Sequence, residues 1–182
     1  LGDKSGMGSS LISIGIVHCI KGDYEKALDC YGRSLAIDEE LGDKRGMGIN
    51  LNNIGIVHKE KGDLNTALDY LSRSLAIDEE LGDKAGMGHS LNDIGIVHFK
   101  RGDYDKALDY QERSLAIREE IGDKRGMGNN LHNIGNVQYA KGDYNKAVEY
   151  LEKSLALKKE IGLGTFDLIV TTTYLYLAYK QL

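Results

Sequence analysis

The chain has 182 residues, a net charge of −5, a pI of about 5.6 and 41% hydrophobic residues. This hydrophobic content supports a folded core and argues against disorder. The acidic balance argues against nucleic acid or an anionic membrane as the main partner, and no segment is long and apolar enough to cross a bilayer. Two cysteines, Cys19 and Cys30, make neither a disulfide framework nor a zinc site, so we expect thiols in a reducing, cytoplasmic compartment.

A segment of about 40 residues recurs along the chain. Residues 41–80 are closely matched by 81–120 and 121–160, and more weakly by 1–40. A fixed period of this length is typical of a solenoid, in which each unit packs on its neighbours. We therefore predict four repeats with these bounds, followed by a capping or partial-repeat helix at 161–182. Because the chain begins within a repeat, we expect it to be a fragment of a longer protein.

Each repeat is predicted to contain two helices, called helix A and helix B. In the second repeat, the apolar spacing predicts helix A over residues 44–60 and helix B over residues 64–81. Asp43 and Asp63 are predicted N-caps, and Gly62 is the predicted end of helix A. No alternation typical of β-strands is present, so the chain is predicted to be all-α.

Three glycines lie inside the predicted helix A of the second repeat, at Gly46, Gly48 and Gly55. A glycine in a helix interior costs up to about 1 kcal/mol relative to alanine. We expect tertiary packing to offset this cost, because a residue without Cβ allows another helix to approach closely. At Gly55 the predicted neighbour is helix B.

The apolar and small residues of each repeat resemble the tetratricopeptide repeat (TPR) family. In the second repeat the residues that carry the resemblance are Ile54-Gly55, Gly62-Asp63-Leu64, Ala67, Leu71 and Ser74-Leu75. Leu51 stands where the family usually has Trp, and the Pro that usually closes helix B is missing. The long repeat is similar to that of Pins-type adaptors and many bacterial signalling proteins. The resemblance implies a right-handed α–α superhelix that serves as a noncatalytic scaffold for a protein or peptide.

The resemblance also implies a ligand surface, because helix A lines the concave face in this family. The implied peptide-binding residues are Asn52, Asn53, Ile56, Lys59, His89, Asn92, Asp93, Ile96, Asn129, His132, Asn133 and Asn136, with Ser9, Ile12, Ser13 and Ile16 at the corresponding positions of the first repeat. Asparagine both donates and accepts hydrogen bonds, which suits an extended peptide backbone. The alternative is that these amides are only solvated and the isoleucines pack between neighbouring A helices.

The same surface argues against one ligand of the family. Members that bind the C-terminal tails of chaperones use Lys, Asn and Arg at set positions. Matched to this sequence, those positions are occupied by Ile12, Ile16, Asn53, His89 and Asp93, and only Asn53 fits. A chaperone-tail clamp is therefore not expected.

Other patterns are interpreted as structural. His18, His58 and His98 recur at one repeat position, so they are too far apart to bind one metal ion. The acidic runs 38–40 and 78–80 are predicted to be solvated. We expect no catalytic residues, no metal and no cofactor, because neither a nucleophile motif nor a dinucleotide motif is present.

The last segment carries large side chains that cannot all face inward. Tyr174, Tyr176, Leu177 and Tyr179 lie within a predicted helix that covers much of residues 166–182. These residues are candidates for an oligomer interface. They motivate an alternative function, a self-assembly module that oligomerises through exposed ends.

Overall fold

The computed structural model describes residues 3–182, except for the side chain of Phe166. The described part of the chain forms helices and turns, without strands. Its helices are α1 (Lys4–Ile20), α2 (Tyr24–Leu41), α3 (Lys44–Lys61), α4 (Leu64–Leu81), α5 (Lys84–Arg101), α6 (Tyr104–Ile121), α7 (Lys124–Lys141), α8 (Tyr144–Glu160) and α9 (Thr165–Tyr179). The odd-numbered helices α1 to α7 are the predicted A helices, and α2, α4, α6 and α8 are the B helices. None of the helices within this range is long and apolar enough to cross a bilayer.

The predicted helices of the second repeat are confirmed. Helix α4 has the predicted bounds, and α3 extends one residue beyond the predicted end. The predicted C-terminal helix is also present, but it begins one residue earlier and ends three residues earlier than the segment 166–182.

The turns between helices are set by an aspartate and a glycine. Asp43 caps α3, because its Oδ1 accepts a hydrogen bond from the Gly46 N–H at 3.0 Å. Gly62 ends α3 with φ of +86°, a left-handed conformation that glycine adopts without strain. Asp63 precedes α4 as predicted but makes no side-chain cap. Its Oδ2 lies 3.4 Å from Nδ1 of His58 instead, so this carboxylate links the turn to helix A.

The chain divides into two compact units, unit 1 (Leu1–Asp93) and unit 2 (Ile94–Leu182), with the division inside α5. The core of unit 1 includes Ala27 and Tyr31 of α2 together with Ile54 and Val57 of α3. The core of unit 2 includes Ala147, Leu151 and Ala178. The bounds of the four repeats and of the segment 161–182 remain predictions, because the division into two units does not test them.

Close packing explains the third glycine of helix A, as predicted. A Cβ placed on Gly55 would lie 2.7 Å from Cγ of Leu71 and 3.3 Å from the Ala67 carbonyl oxygen, both in α4. The corresponding Gly135 would meet Cγ of Leu151 at the same 2.7 Å. Any side chain at these positions would push helix A away from helix B.

A buried polar layer accompanies this close packing. The Ser74 hydroxyl donates to the Gly48 carbonyl oxygen at 2.9 Å, and Ser34 and Ser154 make the same bond in their own helix pairs. One helical turn after Ser34 and Ser74, the carboxylates of Asp38 and Asp78 are buried as well.

The prediction that the acidic runs are solvated is therefore wrong for their first residues. Asp38 accepts a hydrogen bond from Asn50 Nδ2 at 2.7 Å, and Asp78 accepts one from the Ser90 hydroxyl at 2.9 Å. Burial raises the pKa of both carboxyl groups, and these hydrogen bonds oppose the shift. The same repeat position holds a buried Arg118 and a buried Lys158 in unit 2.

We predict that Gly55→Leu lowers the free energy of unfolding by at least about 1–3 kcal/mol, because the new side chain overlaps Leu71. The matched control is Gly32→Leu on α2, where an added Cβ meets nothing within 4 Å. That control should be neutral or stabilising, since leucine favours a helix more than glycine does. Equal denaturation midpoints for the two variants in urea would contradict the close-contact explanation.

Candidate functional site

Residues of the A helices line a first cavity in unit 1, with a volume of about 140 Å³. Three residues predicted to bind a peptide line this cavity, namely Asn52 and Asn53 of α3 and His89 of α5. The buried Asp78 of α4 lies at the same cavity. The structure therefore brings together part of the predicted surface and a carboxylate that was not predicted.

One amide atom of this first cavity has no partner. The Asn52 Nδ2 is buried and finds no hydrogen-bond acceptor among the residues that the structure describes. Buried polar atoms are almost always hydrogen-bonded, so this donor is an exception among the described residues. Arg45 and Asp83, which also line the cavity, pair with each other at 3.0 Å.

A second cavity of about 230 Å³ lies within unit 2. Its walls include Ile96 and Phe99 of α5, Gln111 of α6, and Asn133 and Asn136 of α7. Ile96, Asn133 and Asn136 are predicted peptide-binding residues. Gln111 was not predicted to belong to the ligand surface. The sequence does offer a signal, because Gln111 is polar at the repeat position that holds Leu71 and Leu151.

The amides of the second cavity form a short network. Gln111 is 1% exposed, and its Oε1 accepts a hydrogen bond from Asn130 Nδ2 at 2.6 Å and lies 3.5 Å from Asn133 Nδ2. Asn136 Nδ2 lies 3.0 Å from Nε2 of His132. The Asn136 Oδ1 is buried without a hydrogen-bond donor in the described part of the chain.

His132 fixes the orientation of the Asn136 amide. Burial, together with the nearby charge of Lys158, lowers the pKa of His132 to about 4, so the imidazole is neutral at pH 7. Its Nδ1 lies 3.3 Å from the Thr171 hydroxyl oxygen, which also accepts a hydrogen bond from Lys158 Nζ at 3.1 Å. The Thr171 hydroxyl donates in turn to the Asp167 carbonyl oxygen at 3.4 Å. Nδ1 therefore donates to Thr171 and Nε2 accepts from Asn136, which leaves Oδ1 as the unpaired atom.

The other predicted peptide-binding residues lie outside the two cavities. Lys59 is buried and its Nζ pairs with Asp93 Oδ1 at 2.9 Å, so this pair links α3 to the N-terminal half of α5. The sequence interpretation placed both residues on the ligand surface and did not anticipate their pairing. Ile56 and Asn92 are half-buried, and Asn129 is exposed.

The recurring histidines link each helix A to the turn that follows it. His98 Nδ1 lies 3.2 Å from Asp103 Oδ2, and its ring stacks on Tyr110 with 5.4 Å between centroids. His58 makes the corresponding contacts with Asp63 and Tyr70. Their predicted structural role is confirmed. Within residues 3–182, no group of His, Cys, Asp and Glu is arranged to hold a metal ion.

The predicted interface residues of α9 are exposed, but the three tyrosines have partners within the chain. Lys180 Nζ lies 5.6 Å from the centroid of the Tyr176 ring. Tyr176 is 59% exposed, and Leu177 is exposed beside it. The Tyr179 hydroxyl donates to Glu152 Oε1 at 2.6 Å, and Tyr174 makes an edge-on contact with the His132 ring at 5.5 Å. The structure thus leaves an aromatic surface on α9 whose role as an interface stays a prediction.

The sequence matches the tetratricopeptide repeat family over residues 6–80 and 86–160, which is most of the chain. No curated protein matches the chain by sequence.

Solved structures share the fold at low sequence identity. Aspartyl phosphate phosphatase F from Bacillus subtilis superposes with a TM-score of 0.91 and 17% identity, covering 98% of this chain and 46% of that one. A kinesin light chain with nearly identical TPR-like repeats, from Podosopora anserina, gives a TM-score of 0.75 and 16% identity, covering 100% and 88%. A Rap protein complexed with Competence and Sporulation Factor gives 0.82 and 17%, covering 93% and 47%. The predicted fold class, that of TPR-like solenoids of helix–turn–helix repeats, is confirmed.

We predict that the His132 network makes stability depend on pH. The folded pKa of about 4 lies below the ordinary value of 6.5, so the unfolded chain binds more protons between these values. The free energy of unfolding therefore falls as the pH is lowered from 6.5 towards 4. The control is His132→Asn, because asparagine stands at the same repeat position in Asn52 and Asn92. This variant lacks the titrating imidazole, so the difference in unfolding free energy between variant and wild type must change with pH. A constant difference in urea denaturation from pH 4 to 7 would refute the prediction.

Proposed function

We propose that this chain, which belongs to the tetratricopeptide repeat family, is a noncatalytic scaffold that binds a peptide or protein segment on the surface lined by its A helices. Each unit offers one cavity to such a ligand, with Asn52, Asn53 and His89 at the first and Ile96, Asn133 and Asn136 at the second. Since both cysteines are free thiols, we place this role in the cytoplasm. The likeness of the fold to a Rap protein complexed with Competence and Sporulation Factor supports a role in signalling.

One observation carries the proposal, namely that each cavity is lined by an asparagine with a buried amide atom that has no partner in residues 3–182. Asn52 offers the donor Nδ2 in the first cavity, and Asn136 offers the acceptor Oδ1 in the second. A peptide backbone carries one acceptor and one donor per residue, so an extended segment can satisfy both kinds of atom. The Rap protein that superposes on this chain is complexed with Competence and Sporulation Factor, which also supports a binding role.

The proposed surface is polar as well as apolar, which favours a peptide over a purely apolar ligand. The first cavity carries the Asp78 carboxylate and the pair of Arg45 and Asp83, whereas the second is walled by Ile96 and Phe99. A ligand that meets the first cavity therefore encounters hydrogen-bonding groups and charges of both signs. A ligand that meets the second encounters apolar side chains, amides and the cation Lys100.

We predict that the double variant Asn53→Ala with Asn92→Ala weakens peptide binding about tenfold without lowering the melting temperature, because two backbone contacts are lost. The probe is a set of peptides selected on the wild-type chain from a displayed random library, with affinities measured by fluorescence polarisation. Unchanged affinity for every selected peptide would count against the proposed surface.

The matched control removes two amides from B helices. Asn65 of α4 and Asn145 of α8 are exposed and belong to B helices, so neither lies on the proposed surface of the A helices. The double variant Asn65→Ala with Asn145→Ala should bind the selected peptides as the wild type does. Equal losses in both double variants would mean that the effect of Asn53 and Asn92 is not specific to the A helices.

The exposed apolar face of α1 favours self-assembly as a second function. Ile14 and Val17 are 48% and 49% exposed, whereas Ile54 and Val57, at the same positions of α3, are 5% and 0% exposed. In α3 this face is covered by α2, whose Ala27 and Tyr31 pack on it. An apolar helix face of this kind is a candidate contact for a second copy, in which α9 with Tyr176, Leu177 and Tyr179 supplies the opposite surface.

For self-assembly, we expect Ile14→Lys with Val17→Lys to abolish any growth of mass with concentration, since the two charges cannot be buried in an interface without a partner. Light scattering over a hundredfold dilution series measures the mass. The control is Leu41→Lys with Leu81→Lys, two exposed leucines at the ends of B helices. A wild-type mass that stays that of one chain at all concentrations would exclude this second function.

A further inference from the structure

We propose that the cavity of unit 2 binds the side chain of a tyrosine in the peptide ligand. The inference rests on the proposed function and names one residue that the ligand must supply. It comes from three features of the cavity, namely Gln111 at the repeat position of Tyr31, the apolar walls, and the unpaired Oδ1 atom of Asn136.

The first repeat shows that a tyrosine ring fits this place in a repeat. Tyr31 occupies the position that corresponds to Gln111, and it is 2% exposed. Its ring lies against helix A so closely that a Cβ on Gly15 would be 2.6 Å from Tyr31 Cε1. In the third repeat the shorter Gln111 faces the corresponding Gly95, and the cavity of about 230 Å³ opens beside both residues.

The neighbouring residues keep the cavity open in the third repeat. In the second repeat the ion pair of Lys59 and Asp93 occupies the positions of Phe99 and Asn133. Asn133 turns towards Gln111 instead, with Nδ2 at 3.5 Å from Gln111 Oε1. The amides of Gln111 and Asn133 therefore lie against each other, while Ile96, Phe99 and Val137 supply apolar walls.

The cavity matches a phenol in size and chemistry. Sites for drug-sized molecules have volumes of roughly 300–1,000 Å³, so this smaller cavity suits a single side chain. An aromatic ring would bury its apolar surface against Ile96, Phe99 and Val137. Asn136 Oδ1 has its orientation fixed by His132 and needs a donor, which the hydroxyl of tyrosine provides.

Most other side chains satisfy only part of this description, and Tyr31 at the corresponding position of the first repeat favours a phenol over the indole of tryptophan or the imidazole of histidine. Phenylalanine, leucine and methionine fill an apolar space but leave Asn136 Oδ1 unpaired. Serine and threonine donate a hydrogen bond but fill little of the cavity. Lysine and arginine donate as well, but their charge would face apolar walls without a carboxylate among the residues that line the cavity.

The test uses 4-methylphenol and toluene, which are the side chains of tyrosine and phenylalanine as free molecules. Each is titrated into the ¹⁵N-labelled full chain and followed by ¹H–¹⁵N correlation spectra. We expect saturable shifts for 4-methylphenol at the amides of Ile96, Phe99 and Asn136, and about tenfold weaker binding of toluene. Absence of saturable shifts with 4-methylphenol, or equal affinities for the two probes, would overturn the inference.

Two variants assign the contacts. Asn136→Ala removes the acceptor and should eliminate the preference for 4-methylphenol over toluene while some binding of both remains. Gln111→Tyr copies Tyr31 into the third repeat and should abolish binding of both probes by filling the cavity. Asn145→Ala on α8 is the control and should bind as the wild type does. A preserved preference in Asn136→Ala overturns the inference whether or not Gln111→Tyr folds.

Selection from the displayed peptide library separates this inference from the proposed function. Selected peptides should share a tyrosine whose change to phenylalanine weakens binding about tenfold in the wild type but not in Asn136→Ala. Binders without a required tyrosine would overturn the inference and leave the scaffold function standing. A failure to select any binder would overturn the scaffold function instead, and the titrations would still decide whether the cavity accepts a phenol.

Discussion

The close approach of helix A to helix B within each pair is the constraint on which the other features depend. At Gly15, Gly55 and Gly135 an added Cβ would lie within 2.6–2.7 Å of a side-chain carbon of helix B. This approach places a serine hydroxyl of helix B within reach of a helix A carbonyl group, which is the bond that Ser74 makes to Gly48. A hydroxyl that bonds a carbonyl of the neighbouring helix replaces solvent at a buried position and ties the two helices together.

The same constraint makes one position of helix B decisive for the candidate site. The residue opposite the glycine is Tyr31, Leu71, Gln111 or Leu151, and each is almost fully buried. A Cβ on Gly55 or Gly135 would lie at the same 3.3 Å from a helix B carbonyl oxygen, so the backbones of these two pairs are equally close. The size of the side chain opposite the glycine then decides how much space is filled beside helix A. Functional differences between similar repeats therefore come from single substitutions at a shared position, while the helices that carry them stay the same.

Sequence periodicity predicted the features that depend on neighbouring residues in the chain. The bounds of α3 and α4, the Asp43 cap and the contact at Gly55 follow from local spacing, and they recur because the repeat recurs. The burial of Asp38 and Asp78 was missed because they were grouped with exposed glutamates. Their spacing of four residues from Ser34 and Ser74, on the buried face of helix B, was an available signal.

Features that join different repeats were not available from the sequence. The pair of Lys59 and Asp93 spans 34 residues, and nothing in either local sequence indicates the other residue. The cavity beside Gln111 is space that the neighbouring side chains leave unfilled, and a pattern of residue types does not predict such space. The Asn136 amide acquires its orientation from His132, Thr171 and Lys158, which belong to three different helices.

The buried charges have a consequence for how nearly identical repeats find their correct neighbours during folding. Arrays of similar repeats are prone to misassembly, since a helix from one repeat can pair with the wrong copy. Asp38 and Asp78 are buried in unit 1, whereas Arg118 and Lys158 are buried at the same position in unit 2, each against a different partner. A pairing slipped by two repeats would enclose a charge of the wrong sign, so these four side chains distinguish the first two copies from the last two, which the apolar pattern alone leaves ambiguous.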